Sequence, residues 1–109
     1  MTVLDLQRAL SLRPVSLPED DREVEGVYIG DLLSWVMGRA QSGNVWLTIM
    51  SNLNIVAVAT LSDVSCILLC EGVVPEESVR STAEAKGINI LATDMTAYET
   101  AKKLAELGL

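Results

Sequence analysis

The sequence contains no histidine, no phenylalanine and only two cysteines among its 109 residues. Histidine is the usual general base near neutral pH and the commonest metal ligand, so its absence argues against most hydrolytic and metal-dependent enzymes. The two cysteines, Cys66 and Cys70, are too few for a four-thiolate zinc or iron–sulfur site within one chain. No serine has a histidine or a Ser-x-x-Lys lysine to activate it. We therefore expect a protein that is not an enzyme and holds no cofactor or metal.

Phosphate-binding motifs and basic clusters are also missing. Neither G-x-x-x-x-G-K-[ST] nor G-x-G-x-x-G occurs, which excludes the common nucleotide-binding loops. Fifteen acidic side chains face eight basic ones, for a formal net charge of −7, and only Lys102 and Lys103 are adjacent basic residues. Binding to nucleic acid or to anionic membranes is therefore not expected.

Long apolar runs and targeting signals are absent as well. The longest apolar stretches, such as IVAVA and CILLC, are far shorter than the roughly 20 residues that span a bilayer. The first ten residues mix acidic, basic and apolar side chains and lack the layout of a secretory signal. These features predict a cytoplasmic location.

Half of the residues are hydrophobic, and their spacing predicts a single α/β domain over residues 1–109. The predicted elements are, in order, a helix 2–10, a strand 12–16, a strand 23–29, a helix from Asp31, a strand 45–50, a helix 54–63, a strand 65–70, a helix 75–86, a strand 88–92 and a helix ending at Leu107. The last six of these alternate between strand and helix, which implies a mainly parallel sheet with flanking helices. Pro14 restricts the first strand to an edge of the sheet or to a turn.

Several residues are predicted to begin or end these helices. Thr2 and Asp31 precede helical patterns and can cap them, and Gly87 stands where a left-handed helix stop is expected. Thr93 or Asp94 leads into the last helix. The helix after Asp31 is apolar around most of its circumference, so it is either sandwiched inside the domain or shared with a second subunit.

Polar residues follow three of the predicted parallel strands, at the edge where open α/β sheets bind ligands. The candidate ligand-binding residues are Ser51, Asn52, Asn54, Glu71, Gly72, Thr93 and Asp94. Their hydroxyl, amide, carboxylate and backbone N–H groups could hold a small polar ligand. The alternative is that they are ordinary turn and cap residues, which have the same composition.

A second group of residues is typical of subunit interfaces. Tryptophan and methionine are enriched in such interfaces, and a homodimer would bring them together. The candidate interface residues are Leu33, Trp35, Met37, Trp46 and Met50. The alternative is that they complete the core of a domain with few aromatic residues.

The cysteines lie four residues apart in a strand-like run. That spacing puts both thiols on one face of a strand, roughly 13 Å apart, which excludes a disulfide between them. Structural burial is favoured, because free cysteine is among the most buried residue types. A metal or redox role is the alternative.

Nearly the whole chain, roughly from Val24 to Leu107, resembles one known family in the order of its features. The similar segments are REVEGVYIGDLLSWVMGRAQSGNVWLTIMSNLNIVAVATLSDVSCILLCEG, PEESVRSTAEAKGINILAT and TAYETAKKL. They resemble the DRTGG domain family, and in particular its small stand-alone members. The resemblance implies an α/β fold similar to the N-terminal domains of HPr kinase/phosphorylase and of Mur ligases. It also implies a regulatory role beside other modules, with no kinase chemistry.

The sequence departs from the motif that names this family. The Asp-Arg pair expected after VWLTIM is replaced by residues 51–54, SNLN, and the Thr-Gly-Gly expected after CILL by residues 70–72, CEG. Only Gly72 matches, and Glu71 adds a negative charge that opposes phosphate binding.

Three hypotheses for the function follow. The first is a homodimeric regulatory or scaffolding domain with a small-ligand pocket or a protein partner. The second is a nucleotide or metabolite sensor. The third is an accessory protein of a redox or metalloenzyme system that donates Cys66 and Cys70 across a dimer.

Overall fold

The computed structural model describes residues 1–109 and contains five strands and five helices. The elements are α1 Val3–Ala9, β1 Arg13–Ser16, β2 Val27–Ile29, α2 Leu33–Arg39, β3 Val45–Thr48, α3 Asn54–Ser62, β4 Cys66–Leu69, α4 Glu77–Lys86, β5 Ile90–Ala92 and α5 Ala97–Glu106. None of the helices is both long and apolar enough to cross a bilayer. The predicted α/β class is confirmed.

The five strands form one sheet in the order β1-β5-β4-β3-β2. Strands β2 to β5 run parallel, and β1 pairs antiparallel with β5. Pro14 therefore lies in an edge strand, as predicted, where its missing N–H costs least. Every residue of the central strands β3 and β4 is buried, because helices cover both faces of a parallel sheet.

Alternate residues of the central strands enter two separate cores. On one face, Trp46, Ile67 and Leu69 pack with apolar residues of α2, α3 and α4. On the other face, Leu47 and Leu68 pack with apolar residues of α1 and α5. The result is a three-layer domain in which α2, α3 and α4 lie on one side and α1 and α5 on the other.

The helix ends agree in part with the predictions. Thr2 caps α1 in a capping box with Asp5, and Gly87 ends α4 with a φ of 73°. The last helix begins later than expected. Its cap is Thr96, whose hydroxyl accepts the Glu99 N–H, so Thr93 and Asp94 belong to the preceding loop.

The predicted strand over residues 23–29 is reduced to Val27–Ile29. Glu23 instead makes an isolated bridge with Thr2, and the Val24 N–H donates to the Met1 carbonyl. Gly26, with a φ of 110°, then turns the chain toward β3. The segment that alternates in the sequence therefore makes two separate pairings. Glu23 pairs with Thr2, and the residues after Gly26 pair with β3.

Asp31 is not the cap of α2, which has Leu32 at its N-cap and no side-chain cap bond. Its carboxylate instead accepts hydrogen bonds from the Thr48 hydroxyl at 2.8 Å and the Ile49 N–H at 3.0 Å. Asp31 follows β2 after Gly30, and this position brings it to the end of β3. A helix cap and a residue that ends a strand look the same in the sequence.

The prediction that Trp46 belongs to a dimer interface is wrong. Trp46 lies in central strand β3 with none of its surface exposed, and its indole N–H donates to the Gly30 carbonyl at 2.9 Å. Leu33 and Met50 are half-buried against the same core. Trp35 and Met37, in contrast, are exposed on α2, where only Val36 is fully buried. The helix α2 is apolar around most of its circumference because Val36 packs on the sheet while Trp35 and Met37 are exposed to solvent.

Candidate functional site

The ends of β3, β4 and β5 are neighbours at the carboxyl edge of the sheet, and the loops after β4 and β5 are hydrogen-bonded to each other. The Glu71 N–H donates to the Met95 carbonyl at 2.8 Å, and the Gly72 N–H donates to the Thr93 carbonyl at 2.9 Å. The Cys70 N–H reaches the Thr48 carbonyl at 3.0 Å. Backbone hydrogen bonds therefore hold the loops after β4 and β5 together, next to the end of β3.

The loop after β4 turns through two successive left-handed residues. Glu71 has a φ of 61° and Gly72 a φ of 74°. This conformation is easy for glycine but costs about 1 kcal/mol for a residue with a Cβ. The N–H groups of both residues donate to loop carbonyls, so the turn offers neither N–H to an anion.

The candidate ligand-binding residues are distributed unequally around this edge. Thr93 is buried and Asp94 lies beside Gly72, since the Asp94 Oδ1 is 3.4 Å from where a Cβ on Gly72 would stand. Asn52 and Asn54 are exposed at the start of α3, where the Asn52 side chain accepts the Asn54 N–H at 2.9 Å. Ser51 is half-buried beside them. The structure thus groups Gly72, Thr93 and Asp94, and it engages Asn52 in a local turn.

The charge at this edge is predominantly negative. Asp94 pairs with Arg13 at 3.0 Å, while the carboxylate of Glu71 is exposed and makes no ion pair. Asp31 adds a third carboxylate, which the sequence-based prediction assigned to a helix instead. Its position shortly after β2, beyond Gly30, was the available signal. An edge of this charge suits ligands that donate hydrogen bonds better than it suits polyphosphates.

Both cysteines are completely buried on the same face of the sheet, as their spacing predicted. Burial raises the pKa of the Cys66 thiol to about 12 and also raises that of Cys70. Both thiols are therefore protonated and shielded near neutral pH. The hypothesis that they bind a metal across a dimer does not agree with this burial.

The model of the DRTGG domain family matches residues 14–107 of this chain. The chain belongs to the DRTGG domain family. No curated protein matches it. Among solved structures, it is similar to the CBS and DRTGG domains of the regulatory region of Clostridium perfringens pyrophosphatase, complexed with the activator diadenosine tetraphosphate. The TM-score is 0.74 at 13% sequence identity, and the match covers 93% of this chain and 44% of that one.

Family membership and structural similarity confirm the predicted DRTGG-type α/β fold. The DRTGG domain spans only part of the matched pyrophosphatase structure, which also contains CBS domains. Glu71 and Gly72, which stand where the resemblance places the family's Gly-Gly pair, both adopt the left-handed backbone that glycine favours. The turn therefore combines a left-handed backbone with the negative charge of Glu71.

Proposed function

We propose that this DRTGG domain is a homodimeric regulatory or scaffolding module whose two copies meet through the outer side of α2. The observation that carries the proposal is a group of exposed residues on α2 and the adjoining end of β2, which we call the α2 surface. It consists of Ile29, Leu32, Trp35, Met37 and Arg39. Leu32 is 60% exposed and Trp35 is 53% exposed, although both are large apolar residues. Exposed large apolar residues gathered on neighbouring elements are typical of interaction sites in soluble proteins.

The composition of the α2 surface supports association between copies. Arg39 stacks on the Trp35 ring, with the guanidinium carbon 3.8 Å from the ring centroid, and Arg39 is the only charged residue of α2. Tryptophan, arginine and methionine are the residues enriched in interfaces. Ile29 extends the surface onto β2, which is an edge strand with one side unpaired.

We expect Trp35→Glu to dissociate the dimer. A charge at the centre of the α2 surface would have to be desolvated on association, and central tryptophans contribute about 2 kcal/mol or more to such interfaces. Sedimentation velocity and native mass spectrometry over a dilution series measure the change. Wild-type protein should form a dimer at concentrations where the variant is a monomer.

Tyr98→Glu is the matched control, because Tyr98 is 75% exposed on α5, on the opposite side of the sheet. This variant should remain a dimer. Far-UV circular dichroism should show that both variants are folded. A wild-type monomer at the highest concentration, or dissociation by Tyr98→Glu alone, would contradict the proposed interface.

The second candidate function is a sensor that binds a small ligand at the carboxyl edge. The observation in its favour is the pairing of the loops after β4 and β5 there, in a domain whose structural neighbour is described with a bound activator. The three carboxylates of Asp31, Glu71 and Asp94 favour a ligand that donates hydrogen bonds or carries positive charge.

Amide NMR titration with nucleotides and small metabolites tests this candidate. A sensor should show shifts of Asn52, Gly72 and Thr93 with one class of compound. Diadenosine tetraphosphate should produce none, because its phosphate chain would meet carboxylates and an arginine already paired with Asp94. A full panel without shifts at this edge would rule the candidate out.

A further inference from the structure

The largest surface cavity lies at the opposite edge of the sheet, where the strands β4 and β5 begin. Its volume is about 260 Å³, and it opens between the loop before β2 and the C-terminal ends of α3 and α4. Its polar and charged lining consists of Glu19, Arg22, Thr60, Asp63 and Lys86. None of the candidate residues of the carboxyl edge contributes to it.

A buried amide fixes one wall of this cavity. Asn89, which is almost completely buried, accepts the Glu19 N–H at 3.0 Å and donates to the Glu19 carbonyl at 2.8 Å. The same amide group donates to the Ser65 carbonyl at 3.0 Å. These three hydrogen bonds hold the backbone of Glu19 against the start of β4, so the wall is ordered without a ligand.

An ion pair fixes the opposite wall. The Arg22 guanidinium contacts the Asp63 carboxylate at 2.9 Å and donates to the Asp63 carbonyl at 2.7 Å. The hydrogen bond from Arg22, followed by one from Ser42, lowers the pKa of Asp63. Arg22 and Asp63 thus neutralise each other, and neither charge is free for a ligand.

Two charges in the cavity have no partner in the protein. The side chains of Glu19 and Lys86 make no hydrogen bond or ion pair. The Glu19 carboxylate stands over the C-cap of α4, with Oε1 3.5 Å from where a Cβ on Gly87 would lie. A helix C-terminus carries partial negative charge, so a carboxylate beside it is unfavourable unless a cation joins it.

We propose that this cavity binds a small zwitterionic metabolite of the amino-acid type. The ligand's ammonium group lies between the Glu19 carboxylate and the C-terminal carbonyls of α4. Its carboxylate pairs with the Lys86 ammonium. A ligand without net charge also avoids the repulsion that an anion would meet from a chain of net charge −7. This inference goes beyond the proposed dimer and does not depend on it.

Calorimetric and NMR titration with the common α-amino acids tests the proposal. At least one should bind with a dissociation constant of about 1 mM or tighter and shift the amides of Thr60, Asp63 and Gly87. Amines that lack the carboxylate, and carboxylates that lack the amine, should bind about tenfold more weakly or worse, because each loses one charge-assisted contact.

Variants with matched controls test whether Glu19 and Lys86 contact the ligand. Glu19→Gln and Lys86→Met should each weaken binding about tenfold or more, since each removes one charged partner. Glu106→Gln and Lys102→Met make the same changes on α5 and should bind like wild type. Trp35→Glu should also bind like wild type, so a failed dimer and a failed cavity are distinguishable.

Several results would overturn the proposal. One is an amino-acid panel with no binding member. Another is unchanged affinity in both Glu19→Gln and Lys86→Met. Equal affinity for an amine without a carboxylate would also overturn the zwitterion assignment.

Discussion

Trp46→Ala is expected to lower the free energy of unfolding by about 3–5 kcal/mol, which is much of the total for a domain of this size. Trp46 is the largest fully buried side chain, and it lies in a central strand with helices packed against its face. Its removal would leave a cavity between β3 and the helices, and it would also leave the Gly30 carbonyl without its 2.9 Å donor. Urea unfolding monitored by circular dichroism measures the loss.

Two further variants separate the causes of this effect. Trp46→Phe keeps most of the ring but removes the indole N–H, so it should cost less, about 1–3 kcal/mol. Trp35→Ala makes the same change as Trp46→Ala on the exposed α2 surface. It should cost less than about 1 kcal/mol in protein dilute enough to be a monomer. Equal losses at the two tryptophans would contradict the assignment of Trp46 to the core and Trp35 to the surface.

Asn89→Ala is expected to lower the free energy of unfolding by about 2–4 kcal/mol. The substitution removes three hydrogen bonds and leaves the Ser65 carbonyl without its side-chain donor in the interior. It also frees the loop that carries Glu19, so the Glu19 amide should exchange with solvent faster than in wild type. Urea unfolding and hydrogen exchange provide the two measurements.

The nature of the Asn89 contacts gives a sharper test. Asn89→Asp can still accept the Glu19 N–H, but it cannot donate to the two carbonyls, so it should destabilise at least as much as alanine at neutral pH. Asn52→Ala is the control, because Asn52 is exposed and accepts one hydrogen bond in a turn. It should cost less than about 1 kcal/mol. If Asn89→Ala cost no more than this control, Asn89 would not hold the cavity wall.

The parts of the fold that the sequence predicts well are those with local signals. The runs that form β3 and β4 are apolar at every position because both faces of the strands are covered. The start of α1 at Thr2 and the end of α4 at Gly87 depend on residues within one helical turn. The antiparallel pairing of β1 with β5 joins residues far apart in the chain, and no local pattern predicts it.

The two tryptophans show where pattern reading is insufficient. Trp35 and Trp46 are equally apolar and both lie in apolar runs, yet one is on a surface helix and the other in a central strand. Only the position of each element in the fold distinguishes the buried tryptophan from the exposed one. Asp31 is a similar case, since its partners at residues 48 and 49 are identified by strand register and not by helix capping.

The candidate sites differ in the same way. The carboxyl edge could be predicted, because a general rule for open α/β sheets names the residues that follow parallel strands. The cavity at the other edge combines Glu19, Asp63 and Lys86, which are remote in the sequence and unremarkable in type. Its unpaired charges and the buried amide that orders it become visible only in three dimensions.

The two edge strands of the sheet, β1 and β2, differ in how readily a strand of another copy could pair with them. Pro14 deprives β1 of a backbone donor, and Arg13 places a charge in the same strand, so an incoming strand finds a poor template there. The β2 edge has neither obstacle and adjoins the α2 surface. Two copies related by a two-fold axis would use up both β2 edges at once. In the proposed dimer, a third copy therefore finds no unoccupied α2 surface through which to make the same contact.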